Sequence, residues 1–148
     1  MNRFYRNYYN QQINNYIVDY GGLPFVTNIS ELTLKNQNFR TALWTGNHLQ
    51  LTVMNIPTGE SIGFEIHPNV DQFIKIEQGI GLLKMGDNQA FFDLQKQVNN
   101  NNVIIIPAGK WHELINIGKE NLKLYSIYAP PQHKKGTIHK TKEDADND

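Results

Sequence analysis

The chain has 148 residues, a formal net charge of zero and no cysteine. That length suits one domain with its own core, and the balanced charge supplies no field for nucleic acid or anionic lipid. The missing thiols exclude a disulfide scaffold and thiolate metal sites and fit a reducing compartment.

The opening MNRFYRNYYNQQ has no apolar h-region, so a secretory signal is not expected. No apolar run approaches the roughly 20 residues that span a bilayer, and the expectation is a cytoplasmic protein without membrane contact. Residues 1–12 read as either an ordered arm or a frayed end. From Tyr9 onward, Ile13, Tyr16 and Ile17 recur at helical spacing and predict a short amphipathic helix ending before Gly21-Gly22. Asn28 followed by Glu31 has the form of a helix cap and predicts two turns through Leu34. These short helical segments make an N-terminal region of residues 1–38.

From Phe39 the pattern changes to strands. Short β-rich runs are expected at Thr41–Thr45, Leu49–Ile56, Gly63–His67, Gln72–Gln78, Gly81–Met85, Ala90–Leu94, Val103–Ile106, His112–Ile117 and Leu122–Tyr128. Gly, Pro and Asn punctuate them, and such regular spacing predicts an all-β sandwich or barrel over residues 39–131. Asn99–Asn102 reads as a solvated loop and the Gly79–Gly81 GxG as a hairpin turn, since no helix follows it. Residues 132–148 are polar, carry His133 and His139, and predict a weakly ordered, solvated appendage.

Strand alternation sorts the chemistry-bearing side chains. Gly63, Glu65 and His67 share one face. With Lys75 and Glu77 outward, Gln72, Ile74 and Ile76 turn inward. His112, Leu114 and Asn116 share a face opposite Glu113, and Tyr125 and Tyr128 fall on opposite faces. The inward set Glu65, His67, Gln72 and His112 joins one carboxylate, two imidazoles and an amide, a mixed shell suited to a divalent first-row metal such as Zn, Mn, Fe or Ni. A strand histidine by itself is more often a satisfied or exposed residue. The combination argues otherwise, because an ionised Glu65 inside a barrel needs a cation or donors beside it. His48, Gln50, Thr52 and Met54 share a face that could line the mouth, but ordinary sheet surface or subunit contact is the favoured reading. Trp44 and Trp111 are read as packing residues.

These residues resemble the cupins, small β-barrels with two signature motifs. The first, Gly-x5-His-x-His-x3,4-Glu-x6-Gly, is matched in spacing by Gly59, Glu65, His67, Gln72 and Gly79. The second, Gly-x5-Pro-x-Gly-x2-His-x3-Asn, is matched by Pro107, Gly109, His112 and Asn116, with Asn101 in place of the leading glycine. The resemblance implies a cupin-type double-stranded β-helix, or jelly-roll barrel, over most of the chain, and a homodimer paired through outer sheet faces. The usual first histidine is Glu65 and the usual glutamate is Gln72, so the ligand charge is conserved while its position moves. Similar shells holding a glutamine occur in the type I phosphomannose isomerases, with the Glu and Gln transposed. The resemblance therefore implies a metal site acting on or binding a small oxygenated metabolite. A sugar-phosphate isomerase activity ranks first, an Fe- or Ni-dependent dioxygenase next. The alternatives are a non-catalytic sensor that binds a small molecule or metal, and a structural assembly protein.

Overall fold

The structure, a computed structural model, describes residues 19–148. The helix expected around residues 9–17 lies outside the described residues. The first described helix, α1 (Ile29–Lys35), starts as the sequence predicts, with Asn28 Oδ1 accepting from Glu31 N at 3.0 Å. Glu31 then reaches forward to Lys35 at the last turn, an exposed pair one helical turn apart.

Nine strands follow: β1 (Arg40–Thr45), β2 (Gln50–Ile56), β3 (Asp71–Gln78), β4 (Gly81–Gly86), β5 (Leu94–Val98), β6 (Val103–Ile106), β7 (Trp111–Asn116), β8 (Leu122–Ala129) and β9 (Ile138–His139). They build two antiparallel sheets, one in the order β6-β3-β8-β2-β1-β9 and one in the order β5-β4-β7. The central strand β8 pairs with β2 from Gln50↔Tyr128 to Ile56↔Leu122, and with β3 from Asp71↔Ala129 onward. Period-two burial sets the register: in β7 the buried residues are His112, Leu114 and Asn116, and in β3 they are Gln72, Ile74 and Ile76. Ile74, Ile76, Ile104 and Leu124 of the larger sheet meet Leu83, Met85, Val98 and Leu114 of the smaller one in a single apolar cluster. The architecture is the jelly-roll type expected, formed by two facing sheets.

Three expectations are corrected. Residues 63–67 form no regular strand. They run antiparallel beside β7 through isolated bridges at Ser61↔Ile115 and Glu65↔His112. Gly63 at φ +88 breaks the extension, and its N–H is taken by the Ser61 hydroxyl. Residues 90–93 are likewise not a strand, because Asn88 Oδ1 accepts from Ala90 N and Phe91 N and makes a local turn; β5 begins at Leu94.

The third correction is the largest. Residues 132–148 are folded, and they lie against the edge of β1. β9 pairs Arg40↔His139 and Thr41↔Ile138, and the chain closes with α2 (Lys142–Asp146) under a reciprocal Thr141–Asp144 capping box. Asp19 helps fix this strap, accepting from Gly136 N and Thr45 Oγ1. No helix among the described residues is long and apolar enough to cross a membrane.

Candidate metal centre

Three of the four side chains read from the sequence converge. One donor atom each from Glu65, His67 and His112 lies within 4.8 Å of the others. The bridge between residues 65 and 112 sets Glu65 directly opposite His112, with backbone bonds of 2.9 Å in both directions. His67 follows two residues later and so returns to the same face. Its carbonyl accepts from Gly109 N at 2.9 Å, which ties the Pro-x-Gly turn before β7 to the histidine segment. Gly109 sits at φ +81, a conformation that a side chain would strain.

The hydrogen bonds define how the imidazoles present themselves. His112 is fully buried, and its Nδ1 lies 2.9 Å from the Lys110 carbonyl. A carbonyl can only accept, so Nδ1 carries the proton and Nε2 is left with a lone pair. That is the orientation a backbone carbonyl gives a metal-ligating histidine. His112 Nε2 and His67 Nε2 stand 3.7 and 3.3 Å from the same Glu65 oxygen, Oε2. Both Nε2 atoms are buried without a hydrogen-bond partner. Buried ring nitrogens gathered around one carboxylate oxygen without a hydrogen bond are a costly arrangement that a bound cation would relieve.

Gln72 is the fourth residue of the set read from the sequence. It is 3 % exposed in β3, its Nε2 donates to Ser126 Oγ at 2.9 Å, and its Oε1 is buried without a partner. Its cross-strand neighbour Tyr128 turns to the same side and meets the His67 ring edge-on at 5.9 Å. The amide nitrogen being occupied by Ser126 leaves the carbonyl oxygen as the free end.

Burial pushes the Glu65 carboxyl up. His112 and His67 beside it, and the charge of Arg40, more than offset this and hold it down at about 2. Glu65 is therefore an anion at neutral pH. One carboxylate with two imidazoles makes a group able to hold a divalent first-row cation.

Sequence reasoning missed the wall around this group. A cavity of about 510 Å³ is lined by Glu65 and His67 at its floor and by Arg40, His133, His139 and Asp148 among its sides. His139, expected in a solvated tail, is 5 % exposed. Its Nδ1 accepts from Arg40 Nη1 at 3.2 Å, which leaves Nε2 to donate to Asp148 Oδ2 at 2.7 Å. His133 stacks edge-on against Tyr128 at 5.1 Å. Burial first, then the Arg40 charge, pushes its basicity down to about 3. Gln50, Thr52 and Met54, read as sheet surface, are buried; Gln50 binds the 132–133 backbone, while His48 alone of that set is exposed. The pairing Arg40↔Met54 sets Arg40 on the face of Met54. Tyr125 stacks on Phe73, while Tyr128 points inward, as alternation predicts. Trp111 stacks on Phe64 on the opposite side of β7 from His112.

Two facing antiparallel sheets with donors at these motif positions define a cupin. The family model for the cupin domain matches residues 52–128, and the chain belongs to that family. It is similar to the uncharacterized protein YrkC of Bacillus subtilis, 57 % identical over 127 residues, spanning 86 % of this chain and 68 % of YrkC. The uncharacterized protein L612 of Acanthamoeba polyphaga mimivirus is 42 % identical over 115 residues, 77 % of this chain and 70 % of that protein. The crystal structure of BH2720 from Bacillus halodurans superposes with a TM-score of 0.88 at 52 % identity, covering 89 % of this chain and all of that one.

Proposed function

We propose that this chain holds a divalent first-row metal ion through Glu65, His67 and His112, with the Gln72 carbonyl completing the set, and that the loaded pocket binds and acts on a small oxygenated metabolite. The observation that carries the reading is the pair of buried, unpartnered Nε2 atoms converging on one Glu65 oxygen. A bound ion supplies Lewis acidity toward a carbonyl or hydroxyl oxygen. The protein's part is to present His112 through the Lys110 carbonyl, to keep Glu65 ionised, and to enclose the ligand between the sheets and the C-terminal strap.

Sugar-phosphate isomerisation is the reaction to test first, on the strength of the glutamine in the shell. His133, pushed down to about 3, and Glu65, held at about 2, are both too weakly basic to serve as its proton acceptor, so that role falls to the ligand itself. Elemental analysis of purified protein, then turnover of hexose phosphates by the metal-loaded form, separates the parts of the reading. Stoichiometric metal with no turnover across the panel removes the isomerase and leaves the binding module. Absence of metal, together with no uptake on titration, removes the metal centre.

We read the protein as a homodimer. The outer face of the larger sheet at β6, with Val103 54 % and Ile105 58 % exposed, supports pairing there. Light scattering on the wild type and on Ile105→Lys tests this, and identical masses would count against it.

A further inference from the structure

Arg40 is the least explained charge among the described residues. It is 4 % exposed at the start of β1, yet no Asp or Glu oxygen of the described residues comes within ion-pair distance of it. Nη1 has the neutral acceptor His139 Nδ1, Nη2 has the weak acceptor Met54 Sδ at 3.9 Å, and Nε has none. A guanidinium carries five N–H donors and cannot shed its charge. The Arg40 charge acts on Glu65 and on the Tyr128 hydroxyl, yet no carboxylate binds it directly. A guanidinium buried without a direct anionic partner carries a desolvation cost that calls for a reason.

That reason lies in the cavity it lines together with Glu65 and His67. The cavity volume of about 510 Å³ is that of a metabolite site. The Asp148–His139–Arg40 chain of hydrogen bonds holds the guanidinium at the wall while leaving donors unspent. His133 Nε2, also buried and unpartnered, faces the same space. We propose that Arg40 is the anion-binding residue of this pocket, and that the ligand is a small hydroxylated carboxylic acid whose carboxylate is held by Arg40 while an oxygen further along reaches the metal. This rests on the metal-centre reading above and, in taking a carboxylate over a phosphate, is an alternative to the sugar-phosphate reaction named there.

A carboxylate matches the planar fork of Arg in two parallel bonds, and so does a phosphate. The cavity wall separates them. Asp146 and Asp148 line it along with Glu65, against Arg40 and Lys134 as the basic residues. The carboxylates of the lining oppose the second charge of a phosphate dianion, which a carboxylate monoanion does not carry.

The test uses three ligands of like shape: gluconate, sorbitol and sorbitol 6-phosphate, by calorimetry on the full chain in metal-loaded and metal-stripped forms. Gluconate is expected to bind at least tenfold tighter than sorbitol in both forms, and tighter than sorbitol 6-phosphate. In Arg40→Gln the gluconate preference should fall to near unity. If that variant does not fold, as judged by circular dichroism, Arg40→Lys should cut the preference severalfold, because one ammonium cannot reproduce the fork. Equal binding of gluconate and sorbitol, a preference unchanged in a folded Arg40 variant, or tighter binding of the phosphate would each overturn the proposal. The metal-stripped arm reports on Arg40 without the ion, and metal stoichiometry reports on the ion without Arg40, so the two readings fail separately.

Discussion

Replacing Glu65 by glutamine keeps the side chain's size and removes its charge, which makes it the sharpest test of the metal centre. The Oε2 atom stands 3.3 and 3.7 Å from the two histidine nitrogens, so in the proposed set it is the sole anionic ligand. Losing an outer partner of a ligand already costs 10- to 100-fold in affinity. Losing the charged ligand itself should reach the upper end, about 100-fold. A ligand at 100 times its Kd stabilises the folded state by about 2.7 kcal/mol, and at its Kd by about 0.4 kcal/mol. For a domain of this length, one kcal/mol moves Tm by roughly 4 °C. At a metal concentration set to 100 times the wild-type Kd, the wild type should therefore melt about 10 °C higher than its chelator-treated form. The Glu65→Gln variant should gain only about 2 °C. Scanning calorimetry near neutral pH is the assay, since Glu65, held at about 2, is fully ionised there. A variant that retained the whole metal-induced shift would refute the assignment of Glu65 as a ligand.

Further outcomes follow from the same structure. Gln72→Glu should tighten metal binding about tenfold by adding a second carboxylate; chelator competition reads this, and unchanged or weaker affinity would place Gln72 outside the ligand set. Asn116→Ala should lower stability by about 3 kcal/mol while leaving metal stoichiometry intact. Asn116 donates to Ile56 O and Glu120 O and accepts from Gly118 N, which denaturant unfolding would detect as a shifted midpoint. The two glycines that bracket the first motif should respond unequally to alanine. Gly59 at φ +82 has open space around it, so the strained backbone alone should cost about 1 kcal/mol. At Gly79 (φ +95) a Cβ would also come within 3.0 Å of Leu122 Cα and 3.1 Å of Asn121 O, so the loss should be at least about twice that of Gly59→Ala. Equal midpoints for the two variants would contradict the contact argument.

What could be read from the chain by itself was whatever repeats at short range. Period-two alternation told which of residues 72–76 and 112–116 turn inward, and Asn28 with Glu31 announced a helix start, because each signal lies within one turn or one strand. The spacing of Glu65 and His67, with His112 after its Pro-x-Gly turn, was legible for the same reason, although Gly63 makes their segment a bridged loop.

The wall of the pocket had no such signature. Arg40 and His139 are 99 positions apart in the chain and meet through a strand of two residues, too short to show any period. His139 and Arg40 are buried and satisfy part of each other's hydrogen-bonding needs, with the exposed Asp148 behind His139, and buried polar residues joined in this way have the same composition as solvated ones. Which of those two states they occupy depends on the partner that the fold brings up from the far end of the chain. That information exists only once β9 has docked on β1.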